Sequence, residues 1–163
     1  MTMEKGVEVA EVPLTKRESL DSILQESFEG WYLRHSMKTL QEVETVKAAY
    51  ASGTPVGLIM LKTLDAKVGY VYYVAVRRES RQTGVGSLLL ADALNQFTSS
   101  GITEVFASVE HDNVPSEKLF ESHGFTRTSF SEVSGRHGPL HALNMYRMMV
   151  VVPGEVLLHR SLG

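Results

Sequence analysis

The sequence predicts an α/β fold of the mixed-sheet, α+β kind, in which an antiparallel meander leads into a parallel β-α-β crossover with flanking helices. Three observations predict it. Val68 to Val76 is rich in Val and Tyr and apolar on both alternating faces, as a central strand covered on both sides must be. A polar loop, a helix-period segment (Gly84 to Phe97) and a short apolar run (Val105 to Val109) follow, the succession that a right-handed crossover between parallel strands requires. Before it, two strand-like runs flank the turn residues Ser52-Gly53-Thr54-Pro55 and form a hairpin.

The elements follow in order. Val7 to Val12 alternates as a short strand does. Thr15, with Glu18 three residues on, has the form of a capping box. Leu20, Ile23, Leu24 and Phe28 then repeat at helical spacing, so a first helix runs from Lys16 to Ser27. Gly30 interrupts it, and Trp31 to Leu40 forms a second, shorter helix. Val43 to Ala51 and Val56 to Leu64 are the hairpin strands, and Asp65-Ala66-Lys67 connects tightly to Val68. In the Gly84 to Phe97 helix, Asp92, Asn95, Gln96 and Ser99 make a polar stripe, and Gly101 ends the segment. Asn113 reads as an N-cap with Pro115 in the first turn, and Gly124 as the residue that stops that helix. Phe125 to Val133 and Leu140 to Val152 read as strands joined by a turn from Ser134 to Pro139. The order is βααβββαβαββ, with no internal repeat or linker, and the expectation is one domain over residues 1–163.

The bulk composition sets the class. Hydrophobic residues make up 43% and charged residues 21% of 163, ordinary for a soluble globular domain. A net charge of -3 lacks the basic excess of a nucleic-acid binder. With no cysteine there is no disulfide framework, no thiolate nucleophile and no Cys-type zinc site. The acidic start is unlike a signal peptide and no apolar run approaches a membrane span, so the expectation is a cytoplasmic protein with no membrane contact.

One segment carries chemistry. After Val74-Ala75-Val76 and a polar loop, Arg81-Gln82-Thr83-Gly84-Val85-Gly86 opens a helix. Gly84 and Gly86 lack Cβ atoms, so an anion can approach the backbone closely. Amides of a helix's first turn point at such an anion and the helix dipole favours it. Arg81 adds a charge-assisted contact. A P-loop would need Lys-Ser or Lys-Thr after the last glycine, where Ser87-Leu88 stands. A dinucleotide fingerprint would need a third glycine or alanine, where Leu89 stands. The residues alone leave a phosphate or pyrophosphate cradle, or simply a tight entry into a packed helix.

Arg81-x-x-Gly84-x-Gly86 after the Val74-Ala75-Val76 strand end resembles the coenzyme A signature of the GNAT acetyltransferase superfamily. Asn113-x-x-Ser116-x-x-Leu119-Phe120-x-x-x-Gly124-Phe125, one helix and one strand downstream, resembles that family's second signature. The element order is similar to the GNAT fold over about residues 5 to 152. The resemblance implies an N-acetyltransferase that uses acetyl-coenzyme A as co-substrate. A primary amine, on a protein N-terminus, a lysine or a small molecule, would attack the thioester directly in a ternary complex. It implies that Val74 and Val76, flanking Ala75, offer backbone groups to the pantetheine arm. Arg81, Gln82, Thr83, Gly84, Val85, Gly86 and Ser87 would hold the pyrophosphate through main-chain amides. Asn113 and Ser116 would contact the pantetheine or adenosine end, with Lys118 as a phosphate partner. Asn113 also reads as a helix cap, a role that can coexist with the contact, and Lys118 reads more readily as a solvated charge.

The catalytic half departs from the family. Where many members carry a tyrosine that protonates the leaving thiolate, this chain has Phe120, which has no proton to give. A thiol of pKa about 8.5 leaves as a fairly stable thiolate without help, and Tyr146, on the expected last strand, is a candidate donor. Several members place a glutamate on the central strand; Tyr70 stands there, and the partner position on the next strand is Ser108. Glu110 and His111, just past that strand, are the nearest titratable alternatives. Trp31 and Tyr32 read as lining of the acceptor cleft or as core. His137-x-x-x-His141 has ligand-like spacing, but Gly138-Pro139 prevents a helical pair, and no metal is expected. The other reading is a coenzyme A-binding module of the same fold without catalysis. A long final strand from Leu140 to Val152 would let a homodimer form by edge pairing.

Overall fold

Strands form where branched and aromatic residues alternate, and their pairing is given by a computed structural model, which describes residues 6–163. β1 (Val7–Glu11) pairs antiparallel with β2 (Thr45–Ala51), and β2 with β3 (Thr54–Asp65). β4 (Val68–Val76) and β5 (Glu104–Glu110) pair in parallel, from Val68 opposite Glu104 to Val71 opposite Ala107. β5 pairs antiparallel with β7 (Glu155–Ser161), and β7 with the short β6 (Thr126–Thr128). The sheet order is β1-β2-β3-β4-β5-β7-β6. This is the expected mixed sheet, with an antiparallel start and a parallel pair at β4 and β5.

The helices are α1 (Asp21–Ser27), preceded by a 3-10 segment over Leu14–Leu20, then α2 (Gly30–Glu42), α3 (Val85–Ser99), α4 (Val114–Ser122), α5 (Phe130–His137) and α6 (Pro139–Met149). No helix among the described residues is long and apolar enough to cross a membrane. The chain divides into two compact units, Met1–Lys62 with Tyr73–Gln96 and Thr63–Tyr72 with Phe97–Gly163.

In the first unit, the expected capping box at Thr15 and Glu18 does not form. The turn begins two residues earlier, with Pro13 in the cap position, as a 3-10 segment without a side-chain cap. Its geometry suits the buried Arg17, whose guanidinium donates to the carbonyls of Leu40 (2.9 Å), Val43 (2.7 Å) and Glu44 (3.3 Å). These three contacts tie the first helical stretch to the end of α2 and the residues just past it, and a fourth, longer one reaches the Val12 carbonyl. Gly57 on β3 lets the helix come close: a Cβ there would lie 3.0 Å from Val85 and 3.1 Å from Leu89 of α3.

In the second unit, two expected strands are helices. Only Thr126–Thr128 of the Phe125 to Val133 run is extended. Ser129 then accepts a bond from the Glu132 amide and starts α5. Gly138, at φ 85°, separates α5 from α6, which covers most of the expected Leu140 to Val152 strand. The physical reason lies in the α6 sequence. Ala142, Met145 and Met149 form the buried stripe at helical spacing, packing with Val133, Tyr70, Phe106 and Leu157. Leu140, Leu143 and Val150 are apolar yet exposed, and they fill the gaps of that stripe so that the run reads as continuous. The final strand is β7 instead, beyond the last element the sequence suggests. Edge pairing of a dimer through Leu140 to Val152 therefore has no strand to use.

Candidate functional site

The loop from Arg77 to Gly84 is built by its arginines. Arg77 donates to the Pro55 carbonyl (2.9 Å), Glu26 (2.7 Å) and Ser22 (2.8 Å), and the Arg78 amide donates to Glu26 (3.0 Å). The Arg78 amide and the Arg77 guanidinium together hold the Glu26 carboxyl below its ordinary range. Arg78–Ser80 makes a 3-10 turn, closed by the Thr83 hydroxyl on the Ser80 carbonyl. Gln82 and Gly84 take positive φ, 62° and 93°, which turn the chain into α3. The α3 ladder opens with the Leu88 amide donating to the Gly84 carbonyl at 2.9 Å, so Gly84 caps the helix and the amides of Val85 and Gly86 precede the ladder. Val85 is buried against the helix base, while Gly86 and Ser87 are half-buried. A helix start of this kind is compatible with the expected anion site.

Arg81 is placed differently from a free phosphate clamp. Its Nε donates to the Val76 carbonyl (3.0 Å) and a terminal nitrogen reaches Ser27 (3.4 Å). The guanidinium thus braces the end of β4 against α1. A carbonyl has two lone pairs, so this contact leaves Val76 able to take a second donor. Val74 and Val76 are half-buried and Ala75 is buried. β4 runs to Val76, whereas its parallel ladder with β5 ends at Val71.

In the second unit Asn113 is the N-cap of α4, its side chain accepting from the Ser116 amide at 3.3 Å. Ser116 is half-buried and Lys118 exposed. Arg127 forks onto buried Glu117 with bonds of 2.6 and 2.9 Å, fixing α4 to β6. Phe120 is buried and packs edge-on to Phe125.

The candidate catalytic residues separate into a pair and two outliers. Tyr70 and Ser108 meet through their hydroxyls at 2.6 Å. Tyr70 is only 1% exposed and belongs to the core beneath α5 and α6. Its neighbour Tyr72 donates to the Met148 carbonyl at 2.8 Å, and burial pushes its phenol pKa up. Glu110 is exposed at the end of β5. Tyr146 is not on the last strand but on α6, edge-on to Phe130, with its phenol pKa also raised by burial. His137 and His141, on either side of the Gly138 break, stack at 5.4 Å and reach Glu104 and Asp65.

One pair was not singled out by sequence. His35 Nδ1 lies 2.6 Å from the Tyr73 hydroxyl, and Trp31 stacks on the imidazole at 4.7 Å and 9°. The only sequence signal is that Trp31 and His35 are four apart on one helix, which places them on one face.

The chain matches the model of the acetyltransferase (GNAT) family over residues 17–125. It is 36% identical over 85 residues to a mycothiol acetyltransferase of Thermobispora bispora, which covers 48% of this chain and 29% of that protein. The chain thus spans less than a third of the length of that curated relative. Ard1 of Thermoplasma volcanium superposes with a TM-score of 0.72 at 19% identity, covering 96% of this chain and 97% of that one. The PaiA N-acetyltransferase of Thermoplasma acidophilum, solved in complex with coenzyme A, superposes with a TM-score of 0.70 at 15% identity, covering 95% and 98%. At these identities the solved structures speak to the fold, and the family model speaks to the lineage. Its match takes in the Arg81–Gly86 cradle and the α4 signature together, and on that footing the chain belongs to the acetyltransferase (GNAT) family.

Proposed function

We propose that this protein transfers an acetyl group from acetyl-coenzyme A to an amine, on a protein N-terminus, a lysine or a small molecule. The observation that carries the reading is the cradle at the head of α3: Gly84 as cap, Gly86 without a Cβ, and amides that precede the helical ladder. The donor set suits a pyrophosphate, which is doubly charged and bound best by several aligned N–H groups.

Acetyl-coenzyme A supplies the activated thioester. The chain's residues would do the rest. Val85, Gly86 and Ser87 amides bind the pyrophosphate, and the end of β4 aligns the pantetheine through backbone groups of Val74 and Val76. An amide near Val74 stabilises the oxyanion, a role preorganised N–H groups fill well in a site without water. The amine must lose its proton before it attacks, and the departing thiolate must gain one.

The reading is tested by following thiol release from acetyl-coenzyme A across a panel of small amines, lysine peptides and peptides with free N-termini. Gly84→Val should weaken coenzyme A binding at least about tenfold, since even one charge-assisted hydrogen bond is worth about 1.5–3 kcal/mol. Unchanged affinity in that variant would remove the cradle from the site. The buried Phe120 favours a second reading, a coenzyme A-binding module without turnover. Tight binding with no thiol release over the whole panel would establish that reading instead.

A further inference from the structure

The proton-handling group of this chain is open, because Phe120 has no ionisable proton and Tyr70 is sealed at 1% exposure under α5 and α6. A group that exchanges a proton with an incoming amine must reach it. Tyr73 and His35 are both half-buried, and Trp31, stacked on His35, is 43% exposed, so this ring system extends from the strand to the surface. Tyr73 directly precedes Val74, the residue whose backbone the acetyl-transfer reading assigns to the oxyanion. It lies in the same compact unit as the Arg81–Gly86 cradle.

We propose that the Tyr73 hydroxyl, backed by His35, takes the proton from the amine in this protein. The inference rests on the acetyl-transfer reading above. Its geometry is fixed from three sides. His35 Nδ1 is 2.6 Å from the hydroxyl, Phe28 stands edge-on to the phenol at 5.2 Å, and Trp31 lies flat on the imidazole. Packing of this kind holds a hydrogen bond in one geometry better than a loop does. Tyr73 is the catalytic residue of the pair, and His35 a positioning residue that receives the proton behind it.

The proton ledger closes. As the ammonium passes a proton to the Tyr73 oxygen, the Tyr73 proton moves to His35 Nδ1, leaving a neutral phenol and an imidazolium that returns its proton to solvent. The amine lone pair forms the C–N bond and the C–S bond breaks. The second proton lost by the nitrogen ends on the thiolate. For His35 to begin as the acceptor it must be neutral, with Nε2 protonated. Burial lowers its pKa from 6.5, Lys38 lowers it further and Glu42 partly opposes, while Tyr73 faces it from β4. An imidazole below 6.5 draws a proton from a peptide α-ammonium (pKa about 8) at a disadvantage of more than about 30-fold, and from a lysine ammonium near 10.4 at one of more than about 10⁴-fold. Weakly basic amines are therefore the expected acceptors.

The test compares the parent enzyme, Tyr73→Phe and His35→Gln for coenzyme A affinity, kcat and the pH profile of kcat/KM. Tyr73→Phe keeps the ring against Phe28 and should lower kcat about 10²- to 10⁴-fold. His35→Gln can still accept from the Tyr73 hydroxyl but cannot take a proton. It should lower kcat and erase the ascending limb of the pH profile. Both should bind coenzyme A as the parent does, which shows that they fold. If the parent is active and either variant keeps kcat within about twofold, or His35→Gln keeps the ascending limb, the relay is overturned while acetyl transfer stands. A parent that binds coenzyme A and acetylates nothing overturns both.

Discussion

A methyl group on Gly69 of β4 would lie 2.7–2.9 Å from three carbons of the buried Phe97 ring. Contacts that short are not tolerated, so the Phe97 ring or the backbone around it must shift. Gly69→Ala should therefore destabilise by about 1–3 kcal/mol, the usual range for overpacking, read as a lower urea midpoint. Phe97→Leu in the same background should recover part of the loss. Val150 is the opposite case. It is a β-branched, exposed residue held at φ 55° as the C-cap of α6, where glycine is the unstrained choice. Val150→Gly should raise stability by about 1 kcal/mol, and a fall in the urea midpoint would contradict the assignment of strain. Neither position announces itself in the sequence: Gly69 is one glycine inside a strand, and Val150 sits in a run of apolar letters. Asn113 does announce itself, because a polar residue two before a proline at a helix start has one main use.

The elements that were legible are those whose period and punctuation agree. Val68–Val76 is apolar on both faces and is a central strand; Gly84 and Gly101 bracket α3; Asn113 and Gly124 bracket α4. Asn113→Ala should cost about 1 kcal/mol through the lost cap, and circular dichroism melts would register it. Asn113→Asp, which can still accept from the Ser116 amide, should come close to the parent. The region after Phe125 was illegible for a reason of the same kind. In α6 the buried stripe of Ala142, Met145 and Met149 is hidden among exposed Leu140 and Leu143, so the period of 3.6 is lost. The helix start at Gly84 was readable because glycines just after a strand end and a polar loop have few structural uses in that order. The His35–Tyr73 contact was not, because residues 38 apart meet only when α2 lies against β4.

At the scale of the whole molecule, two half-buried histidines contribute to the response to acid. Burial lowers the pKa of both His35 and His159 below 6.5, for His159 against the opposing pull of Glu104. The unfolded chain then binds more protons than the folded one as pH falls through that value. Stability from these groups is complete above the ordinary value and is lost on acidification toward the folded pKa. Glu26 and Glu117, both held below their ordinary 4.5 by hydrogen bonds, should add a second loss at lower pH. Urea midpoints should fall steadily from pH 7.5 to 5, and the fall should be shallower in His159→Phe; a flat profile would contradict the lowered pKa of these imidazoles. The pair of helices α5 and α6 has a further consequence. Thr128 of β6 faces Leu157 of β7, so the segment from Ser129 to Gly154 leaves the sheet and returns across one strand spacing, about 4.8 Å. A loop closed at its base changes length at an entropic cost of only about 0.6 kcal/mol per doubling. In evolutionary terms the helix pair is a cassette whose length is free but whose inner face is not: any replacement must cover Tyr70, Phe106 and Leu157 as Ala142, Met145 and Met149 do, while β6 and β7 keep their register.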